Sequence, residues 1–123
     1  MKNTITIVGY TNIPCLKNNQ IISYRRKKTY NNKKLKEFKS YVQGISKEAL
    51  CDIDGVWNTK KQYSMELRVT YGGSEIDIQN SFDIICDSLQ GLLYEDDKQI
   101  KIVSGEKFFE KNTWKFEIIL TIL

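Results

Sequence analysis

The chain has 123 residues, 41% of them hydrophobic and 28% charged, with 19 Lys and Arg against 15 Asp and Glu, a net charge of +4 and no histidine. That is enough for one domain with a single hydrophobic core, and one proline and seven glycines leave no room for a long flexible linker. The missing histidine excludes Ser-His-Asp and Cys-His catalysis, the usual zinc enzymes and every nuclease whose general base is a histidine.

Any hydrolysis must therefore rest on carboxylates, lysine or tyrosine, and a carboxylate-held magnesium ion is the obvious cofactor. Cys15, Cys51 and Cys86 are odd in number and far apart, which suits free thiols in a reducing compartment and points to a cytoplasmic protein. The opening residues Met1–Val8 alternate polar and apolar and then stop, short of the apolar run of a signal peptide. No stretch approaches the roughly 18 apolar residues of a membrane helix, so no membrane partner is expected.

In chain order, Ile5 and Ile7 alternate with polar neighbours and predict a first strand running to about Tyr10. Asn12-Ile13-Pro14 breaks it, and Lys17-Asn18-Asn19-Gln20 reads as a turn. Ile21–Tyr24 and Lys28–Tyr30 would flank the basic tetrad Arg25-Arg26-Lys27-Lys28 as a short hairpin. Asn31 or Asn32 then caps a helix in which Leu35, Phe38, Tyr41, Val42, Ile45 and Leu50 share one face. Asp52-Ile53-Asp54-Gly55 is a turn. Tyr63, Met65, Leu67, Val69 and Tyr71 form a period-two strand closed by Gly72-Gly73.

From Gln79 to about Leu93, Phe82, Ile85, Cys86, Leu89 and Leu92 fall on one helical face, while Asn80, Asp83, Asp87 and Gln90 fall on another. Gly91 lies near the helix end, where a flexible residue helps to stop it. The remainder predicts a β-hairpin, Ile100–Phe109 and Trp114–Leu123 around a turn at Glu110-Lys111-Asn112. The order of elements predicts an α/β (α+β) domain of two layers, two helices on a mainly antiparallel or mixed sheet.

Charge is unevenly placed. Between Lys17 and Lys39 the cations Lys17, Arg25, Arg26, Lys27, Lys28, Lys33, Lys34, Lys36 and Lys39 are opposed by Glu37 alone. From Ser74 to Asp97 the chain carries Glu75, Asp77, Asp83, Asp87, Glu95, Asp96 and Asp97 with no cation. A basic region with an acidic cluster is how a metal-dependent enzyme acting on a polyanion would be built, and two solvated faces of opposite sign would look the same. Asp77 is expected at the end of the strand that leads into the second helix, and Asp96-Asp97 in the loop after that helix, which spans roughly 20 Å, so the fold decides whether they meet.

The ordered set of residues resembles the RusA family of Holliday junction resolvases. That family carries Asp-x-Asp-Asn-x-x-Lys-x-x-x-Asp-x-Leu and, after about ten residues, Asp-Asp and an apolar residue. Aligned on Asn80, Asp87 and Leu89, Asp77 takes the first aspartate, Gln79 the second and Asp83 the lysine, with Asp96-Asp97 as the downstream pair. Upstream, Pro14-Cys15-Leu16-Lys17-Asn18-Asn19 is similar to the family's Pro-x-x-Lys-Asn-Asn stretch.

The resemblance implies a magnesium-dependent endonuclease (manganese being the alternative ion) that resolves four-way DNA junctions as a homodimer and needs no small-molecule cofactor. It implies catalytic roles for Asp77 and Asp97. Gln79 offers the ion a neutral oxygen in place of a carboxylate, and Asp83 stands where a lysine would face the phosphate. Gln79 and Asp83 are an (i, i+4) pair, so one reading has the carboxylate moved one helical turn. Asp77, Asp83 and Asp97 then hold the metal, with Gln79 and Asp96 as further ligands. In the other reading Asp83 is only a helix-start acid favoured by the dipole.

Lys17, Asn18, Arg25, Arg26, Lys27 and Lys28 are the expected DNA contacts. Glu75 is a reserve ligand, and Asp87 reads as structural, capping or pairing with a basic neighbour. Tyr24 and Tyr30 flank the tetrad and could stack on splayed bases, whereas Trp57 and Trp114 read as core or dimer-interface aromatics. Glu66-Leu67-Arg68 resembles half of a Glu-x-Lys nuclease motif without a convincing aspartate before it. Two further readings stand beside this one. The first is a junction-binding protein of the same fold that has lost cleavage, to which Gln79 and Asp83 point. The second is a basic α+β adaptor binding RNA or protein through its acidic loop.

Overall fold

A computed structural model describes the backbone of residues 3–14, 25–53 and 55–123, and the side chains of all of these except 25–32. Its elements in order are β1 (Thr4–Gly9), α1 (Arg25–Cys51), β2 (Tyr63–Tyr71), α2 (Ile78–Leu89), a short 3-10 turn (Asp97–Gln99), β3 (Ile100–Phe109) and β4 (Lys115–Ile122). The strands form one sheet in the order β1-β4-β2-β3. β4 is antiparallel to both β1 and β2, while β3 runs parallel to β2. This is the expected two-helix, mixed-sheet α+β class.

Alternation of side chains decides which face is covered. Ile5 and Ile7 of β1, Tyr63, Met65, Leu67 and Val69 of β2, and Phe116, Ile118 and Leu120 of β4 are all buried. Phe38 and Val42 of α1 and Ile84, Ile85 and Leu89 of α2 belong to the same cluster. The opposite face is polar: Arg68 bridges Glu66 at 3.0 Å and Glu117 at 3.8 Å. That places Glu66-Leu67-Arg68 within a structural ion network. Trp57 is buried, stacked on Tyr63 and donating through its indole N–H to the Leu93 carbonyl at 2.8 Å. No helix among the described residues is long and apolar enough to cross a membrane.

Four expectations need correction. Arg25–Tyr30 are helical, so the basic tetrad opens α1 instead of sitting in a hairpin, and α1 starts well before Asn31. Arginine and lysine are good helix formers, and the segment has no period-two apolar pattern to support a strand. The Ile21–Tyr24 arm lies outside the described residues, as do Lys17, Asn18, Cys15 and Tyr24.

Second, β3 and β4 are not hairpin partners, because β2 lies between them. The connection passes over the end of β2, where Glu110 N–H donates to the Tyr71 carbonyl at 3.0 Å and Asn112 N–H to the Gly72 carbonyl at 3.1 Å. A Cβ at Gly72 would stand 2.4 Å from the Thr113 nitrogen, so this crossing needs glycine.

Third, α2 ends at Leu89. Gly91 takes a φ of 87°, and Leu93 and Tyr94 enter the core from the turn that follows, which is why apolar spacing continued past the helix. Fourth, Asp77 is not at a strand end, because β2 stops at Tyr71 and Asp77 caps α2.

Candidate active site

Asp77 is held by the helix it starts. Its carboxylate accepts from the Asn80 N–H at 3.2 Å, and its carbonyl accepts from the Ser81 N–H at 3.1 Å and the Ser81 hydroxyl at 3.2 Å. An extended aspartate before a helical run satisfies one of the donors left orphaned at a helix N-terminus. The segment before it is fastened to the edge of the sheet by Lys107 of β3. The Lys107 ammonium pairs with Glu75 at 2.8 Å and donates to the Ile76 carbonyl at 2.9 Å. Hydrogen bonding to Lys107 holds the Glu75 carboxyl below its usual range, and Glu75 in turn raises Lys107. Asn12, Pro14, Glu75, Asp77, Asn80 and Trp114 line a cavity of about 390 Å³ beside this helix start.

Gln79 and Asp83 lie one turn apart on the exposed side of α2, and the Gln79 amide donates to the Asp83 carboxylate at 3.3 Å. This orients the amide so that its N–H is spent on Asp83 and its carbonyl oxygen is turned away from it. One turn further, Asp87 forms an ion pair with Lys39 of α1. Asp87 thus clamps the two helices, the structural role expected of it.

Asp96 and Asp97 follow α2 at its other end. The Asp96 side chain caps the 3-10 turn, accepting from the Lys98 N–H at 2.9 Å. Gln99 closes a capping box: its side-chain oxygen accepts from the backbone N–H groups of Glu95 and Asp96, each at 2.8 Å. Its amide nitrogen donates to the carbonyls of Thr59 at 2.9 Å and Lys61 at 2.8 Å. The Lys98 backbone N–H holds the Asp96 carboxyl below its usual range, and the Asp96 side chain beside it pushes the Asp97 carboxyl up. The sequence reading missed Gln99 and Lys107. An Asp-x-x-Gln spacing was visible for Gln99, but nothing in the sequence pointed to Lys107.

The candidate ligands therefore divide. Asp77 lies at the start of α2, Gln79 and Asp83 along it, and Asp96 and Asp97 past its end. A helix of 12 residues is roughly 18 Å long. Among the described residues, no group of three or more carboxylate or thiol side chains is close enough to hold a metal ion. The donor chemistry suits a hard cation such as magnesium, but one chain does not gather it into one centre. Of the expected DNA contacts, Arg25, Arg26, Lys27 and Lys28 open α1, with side chains outside the described set, and Lys17 and Asn18 lie outside it altogether.

A family model described as "Endodeoxyribonuclease RusA" matches residues 13–121. No curated protein matches the chain. The match runs from Ile13, beside the Pro14 stretch, through the helix start at Asp77 and the acidic pair at 96–97 to the end of the sheet. The chain belongs to the RusA family of endodeoxyribonucleases.

Proposed function

We propose that this chain is a magnesium-dependent endonuclease that resolves four-way DNA junctions by phosphodiester hydrolysis. The family match over residues 13–121 carries the reading. Three features support it: an acidic set on and around α2, a run of cations opening α1, and the absence of histidine from the chain. In this reading Asp77 and Asp97 are indispensable and Asp83 supplies the negative charge that Gln79 lacks, with Gln79 and Asp96 as supporting oxygen donors. Lys17, Asn18 and Arg25–Lys28 meet the phosphates, and two copies act together so that opposing strands are cut.

A second reading is favoured by Gln79 and Asp83. Their hydrogen bond stands where the family motif has a carboxylate and a lysine, so the same fold could bind junctions without cutting them. One assay separates the two. Purified protein is given a labelled four-way junction with magnesium or manganese, beside Asp77→Asn and Asp97→Asn. The expected result is cleavage by the wild type only, with junction binding kept in both variants. Junction binding without cleavage in either metal supports the second reading. Equal affinity for junction and linear duplex sinks both.

A further inference from the structure

We propose that a groove leading away from Asp77 holds an unpaired DNA strand, with Trp114 and Tyr10 as stacking platforms for its bases. What is cut there rests on the nuclease reading above; the groove rests on the fold.

The first observation is a pair of cavities that share lining residues. The cavity of about 390 Å³ beside the start of α2 is lined by Trp114, Asn12 and Pro14 as well as Asp77. A second cavity, of about 480 Å³, is lined by the same Asn12 and Pro14 together with Tyr10, Tyr41, Lys34 and Glu37. The short segment after β1 therefore joins two hollows, one at the acidic helix start and one against the basic helix α1. Each has the volume of a small-molecule pocket. A single nucleotide fits in either, and a double helix enters neither.

The second observation is what the hollows present. Of the two tryptophans, Trp57 is buried, whereas Trp114 keeps 38% of its surface exposed and walls the first cavity instead of filling the core. Tyr10 is 72% exposed. Its backbone N–H donates to the Tyr41 hydroxyl at 2.9 Å, which ties the end of β1 to α1 and leaves the Tyr10 ring at the surface. The Lys115 ammonium lies 5.8 Å from the centre of that ring. Gly9 pairs with Phe116 across β1 and β4, so Tyr10 falls opposite Lys115, with Trp114 one step beyond. Both rings thus belong to one end of the sheet.

Exposed rings beside cations in a concave track are how a single strand is held without regard to sequence. Bases stack on the rings while the cations meet phosphates. In a duplex the base faces are covered by neighbouring pairs, so the groove takes a strand only where pairing is opened, as at a branch point. Lys34 and Lys115 stand at the Tyr10 end, and Glu75 and Asp77 at the other. The strand is gripped by the cations at one end and meets the acidic site at the other.

Fluorescence tests the stacking directly. In Trp57→Phe, Trp114 is the sole tryptophan. In EDTA, so that nothing is cut, a four-way junction or a single-stranded thymidine oligonucleotide should quench its emission. A blunt linear duplex at the same salt should not. Should the core reject Trp57→Phe, the difference between wild type and Trp114→Phe reads the same signal. Emission unchanged at saturating single strand, or quenched equally by duplex, overturns the proposal. Oligonucleotide affinity is the second arm. Trp114→Ala and Tyr10→Ala should each weaken binding about tenfold, and Trp114→Phe, which keeps a ring, by much less. The salt dependence should keep its slope in all three, because no phosphate contact is lost. Wild-type affinity in either alanine variant, a loss that Trp114→Phe shares in full, or a flattened slope overturns the groove. Junction cleavage in magnesium, run in parallel, keeps the two readings apart. Quenching in a protein that cuts nothing sinks the nuclease reading alone, and cutting by a protein whose Trp114 stays unquenched sinks the groove alone.

Discussion

Gln79 and Asp83 are where this chain departs from its family, and their hydrogen bond makes the departure a paired one. If Asp83 supplies the missing charge, Asp83→Asn should abolish junction cleavage without unfolding the protein, because its side chain is exposed. Gln79→Asp should tighten manganese binding, since a hard divalent ion prefers an anionic oxygen. A cleaving Asp83→Lys variant would show that Asp83 never served the ion. Cys86 gives a sharper expectation at the same scale. Burial pushes its thiol up to about 12, and thiolate is the reactive form. At pH 8 a thiol reagent should therefore modify exposed Cys51 and spare Cys86 until the protein unfolds. Peptide mapping after brief labelling checks this, and prompt labelling of Cys86 in native protein would mean that the α2 face of the core opens.

At the scale of elements, Asp77 has two duties that substitution can separate. As the α2 cap it satisfies the Asn80 N–H, and Asp77→Ala should cost about 1 kcal/mol of stability in a denaturant titration. Asp77→Asn keeps a capping oxygen and should cost far less, yet it should abolish cleavage. Equal destabilisation by both variants would show that the cap depends on charge and not on the oxygen alone. The strands and α2 were legible because Tyr63 to Val69 alternate and Ile85 to Leu89 share one face, and each pattern reports its own burial. The start of α1 and the partner of β3 were not. A basic run has no apolar period to read, and nothing between Ile100 and Leu123 announces that β2 will lie between the two strands. The site was legible in the same uneven way. Asp77, Asp96 and Asp97 stand out by spacing, whereas their separation follows from a parallel β2–β3 crossover and Lys107 acts through a tertiary contact.

At the scale of the whole molecule, charge placement says how DNA would be met. α1 begins with Arg25-Arg26-Lys27-Lys28 and has no acid in its first turn, although a helix dipole favours anions there. Four cations at the positive end of a helix repel one another and the dipole, and a phosphate backbone relieves both. Lys33, Lys34 and Lys36 continue the charge along the exposed side of the helix. Lys39 is instead committed to Asp87, tying this basic helix to the acidic one. Junction affinity should therefore fall steeply with salt as bound cations displace counterions. Changing Arg25, Arg26, Lys27 and Lys28 together to alanine should flatten the log–log slope by up to about 3–4, near 0.9 for each phosphate left without its cation. Because phosphate contacts carry no sequence information, affinity should drop alike for every junction sequence. Binding isotherms at several salt concentrations, for wild type and the quadruple variant, measure the slope directly. An unchanged slope would remove the α1 start from the DNA surface and leave Lys17 and the cations beyond residue 32 to carry it.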